Sequence, residues 1–106
     1  MSYSWIMLLL AGFFEIFMAL GLKLSYGFTK LWPSLGTAVA GVLSFYTLSQ
    51  AIKVLPMGTA YAIWTGIGAA GTAIIGIFFF GESYQFLRIL CLLLIVMGVL
   101  GLKIAN

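Results

Sequence analysis

The chain alternates between four long apolar segments and short polar connections. The apolar segments cover about 3–22, 33–52, 57–80 and 86–102, and they are separated by 25–30, 53–56 and 81–83. Roughly 20 helical residues cross a hydrocarbon core of about 30 Å. The pattern therefore predicts an all-α integral membrane protein. Its four transmembrane helices form one domain, and short connections make neighbouring helices antiparallel.

Composition agrees with this class and excludes others. The chain has 106 residues, of which 64% are hydrophobic and 7% are charged. A soluble domain carries about 25% charged residues, so seven charges cannot cover a water-soluble surface. The basic pI of about 9.3 comes from scattered residues without a basic run, which argues against nucleic-acid binding.

Glu15 lies in the middle of the first apolar segment. A carboxylate at that depth costs at least about 2.5 kcal/mol to insert, so such residues usually move a proton or a cation. The alternative is a structural Glu that pairs with a buried Lys. The nearest cation in the sequence, Lys23, is close to the helix end, where it can extend to the headgroups. The functional interpretation is therefore favoured.

Three further residues are candidates for a cation site. Tyr61 and Trp64 share one face of the third helix, and their rings attract positive charge while their polar atoms can hydrogen-bond. An aromatic belt at the membrane interface is the alternative for Tyr61. Ser44 is at about the depth of Glu15; its hydroxyl either donates to that carboxylate or bonds its own helix backbone.

Small residues in the third and fourth segments have structural interpretations. Gly66 and Gly68 are close enough together to predict a helix bend, useful for alternating access. Cys91, Gly98 and Gly101 predict a helix–helix contact, and we expect it to lie between the two subunits of a dimer. The segment GIGAAG (66–71) matches a dinucleotide-binding pattern but lies inside an apolar span, so the match carries no function.

The sequence offers little for enzymatic chemistry. It contains no His, and no second carboxylate is near Glu15 in the sequence. Metal sites and acid–base pairs within one chain are therefore poorly supported. We expect no cofactor and no enzyme activity.

The loop charges are nearly balanced across the membrane. Lys53 and Lys103 fall on one side, and Lys23, Lys30 and Arg88 fall on the other. Positive residues in cytoplasmic loops normally set orientation, so this chain is expected to insert both ways. Two oppositely inserted copies then form an antiparallel, dual-topology homodimer. A fixed topology decided by other factors is the alternative.

The chain resembles the small multidrug resistance family over essentially its whole length. The segments that match the family are AGFFE (11–15), LK (22–23), PMGTAYAIWTGIG (56–68) and GVLGLK (98–103). Within the family, the segment GFTKLWPS (27–34) and Ser44 are similar to the guanidinium-exporter branch. The resemblance implies an antiparallel homodimer in the bacterial inner membrane that exchanges protons for cations. It also implies a shared site made by Glu15 of both subunits and lined by Ser44, Tyr61 and Trp64. Gly12, Lys23 and the Gly66–Gly68 bend match family positions with less direct roles.

Met18 departs from that branch, which usually has Trp three residues after the Glu. A flexible, apolar Met in place of an indole N–H loosens the pocket. The expected substrates therefore include guanidinium, alkylguanidinium and quaternary ammonium compounds. One half of a paired, heterodimeric transporter is another interpretation, although the balanced loop charges argue against it.

The predicted mechanism is competition between protons and cation for the two Glu15 side chains. A planar guanidinium fits carboxylate oxygens through parallel N–H groups. A hypothesis of another class is a passive pore or a structural subunit of a larger membrane complex. A pore would conduct without proton coupling, and a structural subunit would tolerate loss of the Glu15 charge.

Overall fold

The computed structural model describes residues 2–105, and this part of the chain contains four α-helices and no strand. The helices are α1 (Tyr3–Leu24), α2 (Leu31–Ala51), α3 (Met57–Phe79) and α4 (Phe86–Ala105). Each is long and apolar enough to cross a membrane, since 20–23 residues extend for about 30–35 Å. The predicted all-α membrane fold is confirmed.

Helix α1 occupies the centre of the arrangement. It packs along both α2 and α3, whereas the backbones of α2 and α3 approach each other at few positions and α4 packs mainly on α3. The core lies where the first three helices meet and includes Leu8, Ala11, Ala60, Ile63 and Trp64. Helix α4 has no buried residue, so most of its apolar surface is left for lipid or another subunit.

The helix ends differ from the predicted spans by a few residues. Helix α2 begins at Leu31 rather than at 33, which leaves Pro33 in its first turn, where no backbone N–H is needed. Helix α4 continues past 102 to Ala105. Lys103 lies in this last turn, with its Nζ 5.0 Å from the centre of the Trp5 ring. A helix can extend beyond the hydrocarbon core, so apolarity alone does not mark its end.

The turn between α1 and α2 is organised by Ser25. Its hydroxyl donates to the Leu22 carbonyl at 2.7 Å and accepts from the Phe28 N–H at 3.1 Å. Gly27, the expected turn residue, has a φ of 74°, and its neighbours Tyr26 and Phe28 are also left-handed, with φ of 47° and 66°. Three left-handed residues in succession reverse the chain within a short connection.

Glycine lets α1 and α3 approach closely. A Cβ atom added at Gly12 would lie 2.8 Å from the Cβ of Ile67, which is too short for ordinary packing. Ile67 is β-branched, and its Cβ is fixed to the backbone, so a rotamer change cannot relieve the contact. The separation of the two helices therefore depends on the missing side chain at Gly12.

We expect Gly12→Ala to lower the free energy of unfolding by about 1–3 kcal/mol, because overpacking outweighs the gain in helix propensity. Gly36→Ala is the matched control, since a Cβ added at that exposed helical glycine meets nothing within 4 Å. The measurement is equilibrium unfolding in mixed detergent micelles. Equal stability of the two variants would contradict the close approach of α1 and α3.

Candidate cation site

A chain of two hydrogen bonds joins the first three helices. The Trp64 indole Nε1 donates to the Ser44 Oγ at 2.9 Å, and the Ser44 hydroxyl donates to the Ala11 carbonyl at 2.7 Å. Ser44 is fully buried and Trp64 is 6% exposed. Because a hydroxyl has a single proton to donate, Ser44 does not donate to Glu15 in this conformation. The structure joins Ser44 to Trp64 and leaves Glu15 apart from them.

Tyr61 lies at the surface of the protomer. Its side chain is 57% exposed, and its ring meets Trp64 edge-on, with 5.3 Å between centroids. The ring of Phe45 lies on Trp64 as well, at 5.5 Å. Trp64 therefore packs between aromatic neighbours. Of the predicted site residues Tyr61 and Trp64, only Tyr61 is exposed at the surface of the protomer.

Glu15 is half-buried, and its carboxylate lies against α3. One oxygen, Oε2, is fully buried and has no hydrogen-bond partner among residues 2–105. The Cβ that Gly68 lacks would overlap this carboxylate. The ion pair found in the described part of the chain joins Glu82 to Arg88, and Lys23 instead places its Nζ 5.2 Å from the Phe80 ring centroid. The structure therefore does not provide the buried Lys partner that a purely structural Glu15 would need.

The Glu15 carboxylate opens onto a cleft of about 400 Å³ between α1 and α3. The α1 side consists of Glu15, Met18, Ala19 and Leu22, and the α3 side consists of Thr65, Gly68, Ala69, Thr72 and Ala73. Both sets have the spacing of one helix face. Met18 thus lines the cleft one turn from Glu15, as their spacing predicted. Glu82 and Arg88 complete the lining from the connection to α4 and from α4 itself.

Four polar or charged cleft residues were missed by sequence reasoning. Thr65 and Thr72 carry hydroxyl groups on the cleft face of α3, and Glu82 and Arg88 form an ion pair at one end of the cleft. A signal was present for Glu82, because it is one of only two acidic residues in the chain. Its place beside the Glu15 cleft follows only from how α3 and α4 pack.

The predicted glycine bend is not tested by this single conformation. Helix α3 runs without interruption through Gly66 and Gly68. Each glycine does allow a close contact: a Cβ at Gly66 would overlap the Val99 side chain of α4, and one at Gly68 would overlap Glu15. Close packing accounts for both residues here, and the bend stays a prediction.

The small residues of α4 are exposed in the protomer. Cys91 is a free, exposed thiol, and a Cβ at Gly98 or Gly101 would meet nothing within 4 Å. This face is therefore available to a second subunit, as the predicted dimer contact requires. Residues 2–105 contain no group of three His, Cys, Asp or Glu side chains that could hold a metal ion.

Comparison with known proteins identifies the family. The family model for the Small Multidrug Resistance protein matches residues 3–95. A guanidinium exporter of Proteus vulgaris is 57% identical over 103 residues, which cover 97% of this chain and 99% of that protein. Guanidinium exporters of Yersinia pestis and Citrobacter freundii are each 54% identical over 97% of this chain and over 99% and 98% of their own lengths. With its four membrane-spanning helices, this multi-pass protein of the bacterial inner membrane belongs to the Small Multidrug Resistance family.

Proposed function

We propose that this protein exports guanidinium or related small organic cations in exchange for protons, and that cation and proton compete for Glu15. The observation that carries the proposal is the buried Glu15 oxygen without a partner, placed at a cleft large enough for a small organic cation. A carboxylate oxygen in that position needs either a proton or a cation. Exchange follows because the same oxygens cannot hold both.

The similarity to known proteins supports guanidinium as the substrate class. Proteins more than half identical over nearly the whole chain are named guanidinium exporters. A guanidinium ion is planar and presents pairs of N–H groups, which match two carboxylate oxygens. The carboxylates that line the cleft belong to Glu15 and Glu82, and Glu82 is paired with Arg88. Glu15 is therefore the unpaired anionic group among the described cleft residues that can orient the ion.

Ser44 and Trp64 are proposed to position the α1 backbone beside Glu15. The Ser44 hydroxyl holds the carbonyl of Ala11, which is one helical turn before Glu15. The indole of Trp64 holds Ser44 in turn. In a conformation that moves α1 relative to α2, this hydroxyl and this indole become free to donate elsewhere, including to Glu15.

A second copy of the chain completes the proposed transporter. The cleft is open along one side of the protomer, and α4 presents Gly98 and Gly101 without a neighbour. An antiparallel homodimer covers these surfaces and brings two Glu15 carboxylates to one site. Two such carboxyl groups titrate as a coupled pair, and the two subunits exchange conformations at equal free energy.

Met18 favours a broader range of substrates as a second candidate function. It lines the cleft beside Glu15, and its side chain has three rotatable bonds and no hydrogen-bond donor. Alkylated guanidiniums and quaternary ammonium ions can then find space next to the carboxylate. This function differs from the first in substrate range and not in mechanism.

Glu15→Gln is expected to abolish proton-coupled guanidinium currents on solid-supported membranes, because an amide can neither bind the cation by charge nor release a proton. Guanidinium binding by this variant should also lose its dependence on pH. Glu15→Asp retains the charge and should keep part of the coupled transport. Proton-coupled uptake by the Gln variant would refute the mechanism, and uncoupled conductance of the unaltered protein would indicate a passive pore.

Ser44→Ala is expected to cost about 1–3 kcal/mol of stability, because the buried Trp64 N–H and the Ala11 carbonyl both lose a partner. Trp64→Phe with Ser44→Ala should cost less than the sum of the single changes, since they remove the same hydrogen bond. Ser49→Ala is the matched control, as the exposed Ser49 hydroxyl bonds only the Tyr46 carbonyl of its own helix. Unfolding in mixed micelles measures all four variants, and strict additivity would contradict the shared bond.

Met18→Trp is expected to narrow the substrate range. The larger ring fills space beside Glu15 and adds an indole N–H donor, so currents for tetraalkylammonium ions should fall relative to those for guanidinium. Met18→Leu keeps the apolar character and approximate volume and serves as the control. Equal current ratios in the Trp variant and the parent protein would show that Met18 does not set selectivity.

A further inference from the structure

We propose that Glu82 is a second cation site at the end of the cleft formed by the α3–α4 connection, where a guanidinium replaces the Arg88 side chain before moving to Glu15. This inference rests on the proposed export of guanidinium. It assigns a substrate contact to a residue outside the membrane-spanning helices.

The two acidic side chains of the chain line the same cleft. Sequence alone places Glu15 in α1 and Glu82 in a connection, and the fold brings both to the space between α1 and α3. Each carboxylate lies against a glycine of α3: the missing Cβ of Gly68 would overlap Glu15, and that of Gly76 would overlap Glu82. Gly76 follows Gly68 by eight helical positions, a rise of about 12 Å. A cation leaving Glu82 for Glu15 therefore stays within one cleft.

Arg88 donates a hydrogen bond to only one of the two carboxylate oxygens of Glu82 among the described residues. Its Nη2 donates to the Glu82 Oε1 at 2.7 Å, while its Nη1 donates to the Ser83 carbonyl at 2.6 Å. The guanidinium is therefore divided between two acceptors, and the second Glu82 oxygen accepts no hydrogen bond from the described residues. The two side chains are 32% and 39% exposed, and ion pairs with that much solvent contact are weak.

The chemistry of this pair identifies the ion that can replace it. The head of the Arg88 side chain is itself a guanidinium, so Glu82 already binds the functional group of the proposed substrate. A free guanidinium is not tethered to a helix and can donate to both carboxylate oxygens in parallel, which Arg88 does not do here. A tetraalkylammonium ion has no N–H donor and cannot take the same place.

The neighbouring charges allow this exchange. Lys23 also borders Glu82, through a small adjoining cavity of about 50 Å³, but its Nζ lies on the Phe80 ring at 5.2 Å. No salt bridge joins Lys23 to Glu82 within the described residues. When a guanidinium replaces Arg88, one cation substitutes for another at the carboxylate. The released Arg88 remains held by the Ser83 carbonyl, at the edge of the cleft.

Opposite effects of Glu82→Gln and Arg88→Gln on guanidinium transport are the expected result. Removing the carboxylate should raise the KM, and removing the resident competitor should lower it, each by about two- to fivefold, the size of a partly exposed charge pair. Proton coupling through Glu15 should persist in both variants. If the pair only stabilises the connection, the two variants break the same contact and shift KM in the same direction, which would overturn the proposal.

Lys30→Gln controls for long-range electrostatics. Lys30 lies in the turn between α1 and α2, with its Nζ 4.8 Å from the Tyr26 ring centroid, on the same side of the membrane as Arg88 and outside the cleft. Removing its charge should leave KM near that of the parent protein. A decrease as large as that of Arg88→Gln would mean that net charge, and not occupation of Glu82, sets the KM.

A spectroscopic test needs no transport. Arg88 is the single arginine of the chain, so ¹⁵N-arginine labelling reports this side chain alone. In the Glu15→Gln protein the Glu15 carboxylate is absent. Guanidinium should then shift the Arg88 Nη resonances saturably, and tetramethylammonium should not. Unshifted resonances, or equal shifts with both ions, would overturn the proposed cation site at Glu82.

These experiments separate the two proposals. Coupled transport by Glu15→Gln would refute the exchange mechanism and would leave the Arg88 resonances as a direct measure of binding at Glu82. If the Glu15→Gln variant is inactive and its Arg88 resonances do not shift, the exchange mechanism is supported and only the proposed cation site at Glu82 is overturned.

Discussion

The buried hydroxyl of Ser44 holds the first three helices at fixed positions relative to one another. It accepts from the Trp64 indole of α3 and donates to the Ala11 carbonyl of α1. In a hydrocarbon environment there is little water to replace either bond, so a rearrangement that breaks them must provide new partners. The hydrogen-bonded core and the close glycine contacts thus determine where α1 places Glu15.

Glu15 differs from Ser44 and Trp64, whose buried polar groups form hydrogen bonds. Its buried oxygen lacks a partner in the part of the chain that the structure describes, although Ser44 holds the Ala11 carbonyl one helical turn before Glu15. A structural carboxylate would be expected to have a partner. The difference between satisfied neighbours and an unsatisfied carboxylate is what supports a site that alternates between proton and cation.

The cleft also brings together the two acidic residues of a chain in which charged residues are few. Glu15 lies at membrane depth and Glu82 lies at the helix connection, yet both carboxylates lie against glycines of α3. With α4 packed mainly on α3 and its small residues exposed, the protomer has an open cleft and a largely uncovered helix. Those two features are consistent with a transporter that is completed by a second copy.

The sequence by itself determined the four helices, the membrane environment and the family, because apolar length and the order of residues are sufficient for them. It predicted Glu15 as a site residue, because an isolated deep charge is visible in the sequence alone. It also predicted that Met18 shares a face with Glu15, which follows from helical spacing. Only the tertiary structure decided that the Ser44 hydroxyl bonds the Ala11 carbonyl, that Glu82 and Arg88 border the cleft, and that Gly66 packs against α4. These contacts join residues far apart in the chain, and their geometry depends on helix rotation and separation, which no local pattern encodes.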